Sequence, residues 1–435
     1  MTFTGKKVLV CGMAKSGISV AKLLYQMGAF VTVQDRKLEI EWGNYRPTGI
    51  NLHLGQDPNS IVGNFDLVII SPGITVYAPF VQKAQQLGIP VWGEAEFAYR
   101  LCPCPMIAIT GTNGKTTVTT LVGEIMQRHN GKTVIGGNIG IPLTDLVQTI
   151  TLEYLIVAEI SSFQLETIAA FKPAISAVLN MTEDHLDRHH TMENYIAMKS
   201  RIFENQSEND ITILNYDNPI TREMKPPGKV VFFSAKEVLP DGVYIKDGYI
   251  YADDHRIAEL SKTKVMPENA LAATALAFHA GATPNSIAAG LMAFTGVPHR
   301  LEYVTTIDGV EYYNDSKATN VDSAIKAIEN ENGSAILIAG GYDKNTDFTP
   351  WVQHFTGKVA QVILIGETAG QIIDTCNRLG YTSYTQASSL KEAVETAKKL
   401  ARVGNKIIFS PACASFDMFK NFEERGDLFK EYVMG

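Results

Sequence analysis

The stretch AITGTNGKTTVT, residues 108–119, carries residue types that hold phosphate. Glycines at 111 and 114 let the main chain approach an anion. Lys115 brings a positive charge, and the hydroxyl of Thr116 is of the kind that ligates Mg²⁺. The widespread pattern G-x-x-x-x-G-K-[ST] ends in the same way. Its first glycine would fall at position 109, which is Ile109, and the nearest earlier glycine is Gly111. A plain glycine turn would not explain a lysine at a helix start, because that end of the helix dipole disfavours cations. The stretch is read as an anion-binding loop whose first turn differs from the common class.

A second glycine turn, GMAKSG at 12–17, follows VLVC and opens a helical run, and Asp35 stands eighteen residues after Gly17. This resembles a dinucleotide fingerprint with Ala14 in place of the second glycine and an acid placed to meet a ribose. Two readings stand side by side. One is a nucleotide diphosphate held on the free N–H groups of a helix start; the other is a tight strand-to-helix turn of any α/β domain. The pattern does not separate NAD from another nucleotide.

Other polar clusters end apolar runs. Glu159 follows YLIVA, and NMTEDHLDRHH (180–190) follows AISAVL. Both are expected at the carboxyl ends of parallel strands, where open α/β sheets bind ligands. There Glu159 and His185 could join Thr116 around metal ions. Taken singly, Glu159 reads as a helix-capping acid and His185 as the partner of a neighbouring Asp. The histidines at 185, 189 and 190 lack the thiolates or the H-E-x-x-H spacing of a zinc site. Late in the chain, EYYNDSKATN (311–320), GGYDKNTDF (340–348) and SPACASFDMFKNFEERG (410–426) each set Asp, Lys and Ser or Thr beside an apolar run. They are either solvated loops or one ligand face.

Positioning these residues takes alternating strands and helices. Strands are expected at 7–11, 30–34, 67–70, 106–109, 154–158, 174–179, 211–214, 230–233, 335–339, 362–365 and 406–409. Helices are expected at 18–27, 115–129, 269–280 and 391–401, and Asp247-Gly248 marks a hairpin within 244–254. The alternation implies parallel sheets. LCPCPM (101–106) and GVP (296–298) interrupt it. The fold class is therefore α/β with three domains in series. An N-terminal Rossmann-like domain spans 1–94, a central P-loop-type ATPase domain with a mostly parallel sheet spans 95–298, and a C-terminal Rossmann-like domain spans 299–435.

Composition fits this picture. A chain of 435 residues is too long for one ordinary core. Its 45% hydrophobic and 19% charged residues describe a globular protein. A net charge of −8 without a basic run argues against a nucleic-acid partner. No apolar run suggests a membrane span, and the N-terminus lacks the long apolar region of a signal peptide. Five scattered cysteines argue against a disulfide framework and for a reducing cytoplasm. Cys102 and Cys104, flanking Pro103, lack the further ligands that a metal pair needs.

The order GTNGKT, EISSFQLE, N-x-T-x-D-H-L-D-x-H, NDSKATN and GGYDK is similar to the ATP-dependent Mur ligases of peptidoglycan synthesis, over essentially the whole chain. GTNGKT alone marks a wider superfamily that includes folylpolyglutamate synthetases. NDSKATN and SPACASFDMFKNFEERG resemble the branch that adds D-glutamate. The resemblance implies that D-glutamate is joined to UDP-N-acetylmuramoyl-L-alanine through an acyl phosphate, with ATP and two Mg²⁺ ions, by a cytoplasmic monomer.

It also implies residue roles. Ser16, Asp35, Ser71 and Gly73 would hold the UDP part, and Asn138, Ser161, Gln164 and His185 would line the muramoyl-alanine channel. Gly111, Thr112, Asn113, Gly114, Lys115, Thr116, Thr117, Asn269, Arg300 and Asp315 would hold ATP. Lys317, Thr319, Lys344, Ser415 and Phe422 would hold D-glutamate. Thr116, Glu159, His185 and, if carbamylated, Lys199 would serve the metals, and Lys115, His185, Lys199 and Glu159 would be catalytic. Lys199 matches a lysine that this family carbamylates with CO₂; by itself it reads as a surface lysine on a helix. One departure is Lys15, where the family usually has an apolar residue in a more glycine-rich turn. It would add a charge near the pyrophosphate.

Two readings from other classes leave more unexplained. A nicotinamide-dependent dehydrogenase uses only the first glycine turn. A P-loop-type NTPase switch leaves the polar clusters after residue 310 without a role.

Overall fold

The computed structural model of the chain describes residues 2–42, 47–329, 331–343 and 346–435. Short apolar runs such as Leu67–Ile70 and Met106–Thr110 are buried along their whole length. Continuous burial is what parallel strands covered on both faces require.

The first sheet runs Asn51–Leu54, Phe30–Asp35, Lys7–Cys11, Leu67–Ile70, Val91–Gly93 in spatial order, all parallel. The order reverses at Lys7–Cys11, so the turn GMAKSG that follows it opens at the crevice of the sheet.

The second sheet has nine strands. Their spatial order is His255–Glu259, Tyr249–Ala252, Val243–Lys246, Lys229–Ser234, Ile211–Asn215, Ile175–Val178, Met106–Thr110, Leu155–Glu159, Thr133–Gly137. The last seven are parallel, and the first two add antiparallel. Asp247 and Gly248 both have positive φ, 50° and 79°, as the tight turn of the expected hairpin demands. Met106–Thr110 lies between Ile175–Val178 and Leu155–Glu159, with Ile109 opposite Glu159 and Thr110 opposite Val178. Three neighbouring strands thus deliver GTNGKT, Glu159 and NMTEDH to one edge.

The third sheet runs Glu302–Ile307, Val310–Asn314, Lys406–Phe409, Ala335–Ala339, Val359–Leu364, Tyr384–Gln386; only the first pair is antiparallel. The strands that precede NDSKATN, GGYDK and SPACASF are parallel neighbours, so the three loops leave the same edge.

The chain forms two compact units, 1–294 with the first two sheets and 295–435 with the third. In the first unit one core runs from Val8 and Val31 through Phe97 to Ala108 and Phe171. Glu96, fully buried on the helix Glu94–Leu101, accepts the N–H groups of Ala169, Ala170 and Phe171 at 2.8 to 3.0 Å and Arg100 Nε at 2.6 Å. A carboxylate with this many donors is fully compensated in the interior. Among the described residues no helix is long and apolar enough to cross a membrane.

Candidate active site

The phosphate-type loop is built by exclusion of side chains. Gly111 has φ +147°, and a Cβ there would lie 3.0 Å from Leu179 Cβ and 3.2 Å from its N. Gly114 has φ +83°, and a Cβ there would lie 2.5 Å from Asn269 Oδ1. Only glycine fits both the conformation and the space. The loop is then clamped onto the segment after Ile175–Val178. Thr112 N donates to Asn180 O at 3.0 Å and Asn113 N to Asn180 Oδ1 at 2.8 Å. Thr112 Oγ1 donates to Thr182 O and accepts from Thr182 N, both at 3.1 Å.

Two lysines converge on one carbonyl. Lys115 Nζ donates to Gly111 O at 2.9 Å and Thr112 O at 2.8 Å, while Lys199 Nζ donates to Gly111 O at 2.8 Å. Lys199 is not the surface lysine that its sequence context suggests, being 2% exposed at the end of the helix Met192–Ser200. Burial and then the Lys115 charge hold it well below the usual lysine range, against the opposing pull of Asp184 and Glu159.

Glu159 does not cap a helix. It is 2% exposed, and its Oε1 accepts from Asn138 Nδ2 at 2.8 Å, while Asn138 N donates to Glu159 O at 2.8 Å. Its Oε2 is buried without a protein partner. An isolated buried carboxylate oxygen is costly, and this one stands at the strand edge beside the loop. A cation would satisfy it. No group of three or more His, Cys, Asp or Glu among the described residues is placed to hold a metal by itself. The donor set therefore fits Mg²⁺, which keeps waters and phosphate oxygens, rather than an all-protein cage.

His185 has φ +55° and its Nε2 lies 3.5 Å from Asp184 Oδ2, so the simple partner of a neighbouring Asp is also present. Its ring meets Phe163 edge-on at 4.9 Å. Ser161 and Gln164 form a capping box, with Gln164 N donating to Ser161 Oγ at 3.3 Å and Ser161 N to Gln164 Oε1 at 3.0 Å. S-x-x-Q is the spacing that such a box requires.

At the first sheet, Asp35 Oδ2 accepts from Met13 N at 2.6 Å and Oδ1 from Lys37 N at 2.9 Å, so the acid also holds the glycine turn. Ser71 Oγ donates to Gly12 O at 2.5 Å. Ser16 is half-buried in the first turn of the helix Lys15–Gln26, whose N-cap makes no side-chain bond, and Gly73 is exposed with open space beside it. Lys15 Nζ donates to Gly140 O at 2.5 Å. Arg188, not singled out from sequence, pairs with Glu166 at 2.9 and 2.6 Å, donates to Ile74 O at 2.9 Å and lies 4.3 Å over Phe163. It ties the turn after Ser71–Gly73 to the His185 segment.

In the second unit, Asp315 is buried; it accepts from Ser410 Oγ at 2.8 Å and Leu301 N at 3.1 Å. Burial pushes it up to about 6, against the hydrogen bond from Ser410 and the Arg300 charge. Arg300 Nε is itself buried without a partner. Lys317 Nζ lies 5.1 Å over the Phe422 ring, Ser316 Oγ donates to Phe422 O at 2.8 Å, and Thr319 N donates to Lys317 O at 2.9 Å. Ser415 is 2% exposed, and Lys344 lies outside the described residues. An acid whose folded pKa is raised binds its proton more tightly when folded, so its contribution to stability falls as pH rises from about 4 through about 6. Unfolding free energies of the wild type are expected to show this decline, and those of Asp315→Asn to lack it.

Arg425 was also missed, although it is the penultimate residue of SPACASFDMFKNFEERG. It is 1% exposed and donates to Ser316 Oγ (3.0 Å), Ser316 O (2.7 Å), Cys413 O (3.1 Å) and Ala414 O (3.1 Å). It thereby pins the NDSKATN loop to the SPACASF loop. Arg425→Met strands several buried carbonyls and is expected to destabilise the chain by about 3 kcal/mol. A denaturant midpoint at the wild-type value would show that the loops hold without it.

Comparison with known proteins agrees with this layout. Three family descriptions match in series: "Mur ligase MurD-like, N-terminal domain" over 6–93, "Mur ligase middle domain" over 109–277, and "Mur ligase, glutamate ligase domain" over 299–413. A UDP-N-acetylmuramoylalanine--D-glutamate ligase of Thermoanaerobacter sp. (strain X514) is 45% identical, covering 100% of this chain and 99% of that protein. The chain belongs to the Mur ligase family. A second such ligase, from Caldanaerobacter subterraneus subsp. tengcongensis, is 43% identical over the same shares.

Solved Mur ligases share the fold at low identity. MurC of Thermotoga maritima aligns with TM-score 0.60, 18% identity and 99% of each chain. MurF of Thermotoga maritima, in complex with ADP, aligns with TM-score 0.61, 14% identity, and 100% and 96% of the two chains. For a Mur ligase, the first glycine turn needs no nicotinamide, so the dehydrogenase reading falls away.

Proposed function

We propose that this Mur ligase joins D-glutamate to UDP-N-acetylmuramoyl-L-alanine at the expense of ATP, releasing ADP and phosphate. The observation that carries the reading is full-length identity of 45% to a ligase named for that reaction. The site geometry supports it. A carboxylate is a poor acyl donor until a phosphoryl group converts its oxygen into a leaving group. Bringing two anions together for that transfer requires positive charge. Lys115 supplies it in the loop Gly111 to Thr117, and Thr116 and Glu159 are the residues that would hold Mg²⁺. Bound there, Mg²⁺ would offset phosphate charge.

Lys199 supplies a second element. Burial and Lys115 disfavour the ammonium form of Lys199, which favours the free amine that is the nucleophile toward CO₂. The N–C bond forms as the amine gives up a proton to solvent, and the resulting carbamate is an anion beside the Lys115 cation. His185, Asn138, Ser161 and Gln164 line the channel for the muramoyl-alanine part, and Ser16, Asp35, Ser71 and Gly73 hold the UDP part, with Lys15 near its pyrophosphate. The family resemblance also assigns Asn269, Arg300 and Asp315 to ATP. Lys317, Thr319, Lys344, Ser415 and Phe422 hold D-glutamate, whose amine attacks the acyl phosphate. The stretches 1–94, 95–298 and 299–435 take the three substrates in turn, in a cytoplasmic monomer.

Phosphate release from ATP should require both UDP-N-acetylmuramoyl-L-alanine and D-glutamate. Hydrolysis indifferent to either substrate would refute this assignment.

A further inference from the structure

Cys11, Cys376 and Cys413 are buried, whereas Cys102 and Cys104 are half-buried, and all five thiols are free. The half-buried pair flanks Pro103 in the link between the helix Glu94–Leu101 and the strand Met106–Thr110. Their sulfurs lie 3.8 Å apart, and Cys102 Sγ donates to Cys104 O at 3.2 Å. They border a cleft of about 390 Å³ that they share with Tyr99, Arg100, Lys172 and Asp210. None of the residues placed in the ligase site lines it. Structural cysteines are shut away from solvent, as the other three are; two thiols in contact at the wall of a polar cleft are open to exchange.

We propose that Cys102 and Cys104 form a reversible intrachain disulfide by exchange with a low-molecular-weight disulfide entering this cleft. In the first step one protein thiolate attacks RSSR, forms a mixed disulfide and expels RS⁻, which takes up the proton. In the second, the other protein sulfur attacks the mixed disulfide and expels the second RS⁻. The protein loses two electrons and two protons, RSSR becomes two RSH, and one S–S bond replaces another. Burial, and then the Cys102 sulfur, push the Cys104 thiol up to about 12. Burial disfavours the thiolate but not the uncharged disulfide, so the site slows the attack by Cys104 without opposing the oxidised product.

The pair sits where a local change would be felt. Pro105 O accepts from Ile156 N at 3.1 Å and Met106 O from Ala174 N at 3.0 Å, stitching the link to both neighbours of the strand that ends in the phosphate loop. Closing the sulfurs to the ~2.05 Å of a disulfide pulls on these anchors. Oxidation is therefore expected to lower ligase turnover, a consequence that rests on the function proposed above.

The test equilibrates the full-length chain with graded ratios of reduced to oxidised glutathione, quenches in acid, alkylates and maps the peptides by mass. Cys102 and Cys104 should lose alkylation together, on one peptide two hydrogens lighter, and regain it with dithiothreitol. Cys11, Cys376 and Cys413 should be unaffected. Cys102→Ser and Cys104→Ser should each leave a glutathione adduct on the remaining sulfur. Turnover should be lost in step with the thiols, and the double variant should be indifferent to the ratio. Absence of the lighter peptide in fully oxidised glutathione overturns the disulfide. Its presence with unchanged turnover overturns the coupling to the loop. The peptide map decides the first point even if the ligase assay fails.

Discussion

Lys199→Ala is expected to lose ligase turnover by ~10²–10³-fold, the usual cost of removing one preorganised charge from a transition-state site. Formate or acetate should restore part of the rate, by occupying the space where the carbamate would stand. The reason is local. An unmodified Lys199 puts a second amine on Gly111 O, where Lys115 already donates, at a place where burial and the Lys115 charge disfavour its protonation. A carbamate puts an anion there instead. Thermal melting separates the two roles that a buried lysine can play. Alanine removes a buried amine whose charging the site opposes, so Tm should hold or rise while the rate collapses. Full turnover without added carboxylate would take Lys199 out of the mechanism, and a rate loss accompanied by a falling Tm and no rescue would make it structural.

Glu159→Gln is expected to lower turnover by ~10²-fold and to raise the Mg²⁺ concentration needed for half-maximal rate, since a neutral amide is a poor ligand for a hard cation. The glutamine can keep the hydrogen bond from Asn138 Nδ2, which holds Oε1 in the wild type. What it loses is the charge, including the buried Oε2 that has no protein partner. Unfolding free energy should be equal or higher, because an uncompensated carboxylate burdens the free protein. Opposite changes in activity and stability mark a residue retained for function. An unchanged Mg²⁺ titration would assign Glu159 to the scaffold alone.

The pieces of the site were legible because their chemistry is local. A glycine turn, a lysine at a helix start and a hydroxyl on its first turn announce phosphate wherever they occur. The alternating apolar runs announce the parallel sheets that carry them. Among the strands that escaped reading, Asn51–Leu54, Val91–Gly93 and Thr133–Gly137 are short and carry polar residues or glycine. Their place comes from pairing with a neighbour rather than from their own pattern. Arg188 and Arg425 escaped for a related reason, since a basic residue in a polar motif looks solvated until the carbonyls it binds are brought in from distant segments.

By itself the sequence determined the loop chemistry, the α/β class and, through NDSKATN and the motif beginning SPACASF, the branch of ligases to which the chain is similar. Tertiary structure decided which lone residues matter. Lys199 read as a surface lysine, and Glu159 as a helix cap. Placing Met106–Thr110 between Ile175–Val178 and Leu155–Glu159 buries both near one loop, leaving one an amine whose charge is disfavoured and the other a carboxylate oxygen without a protein partner. Burial is a property of the assembled sheet. It sets the energy of a charge, and no residue can report it from its own place in the chain.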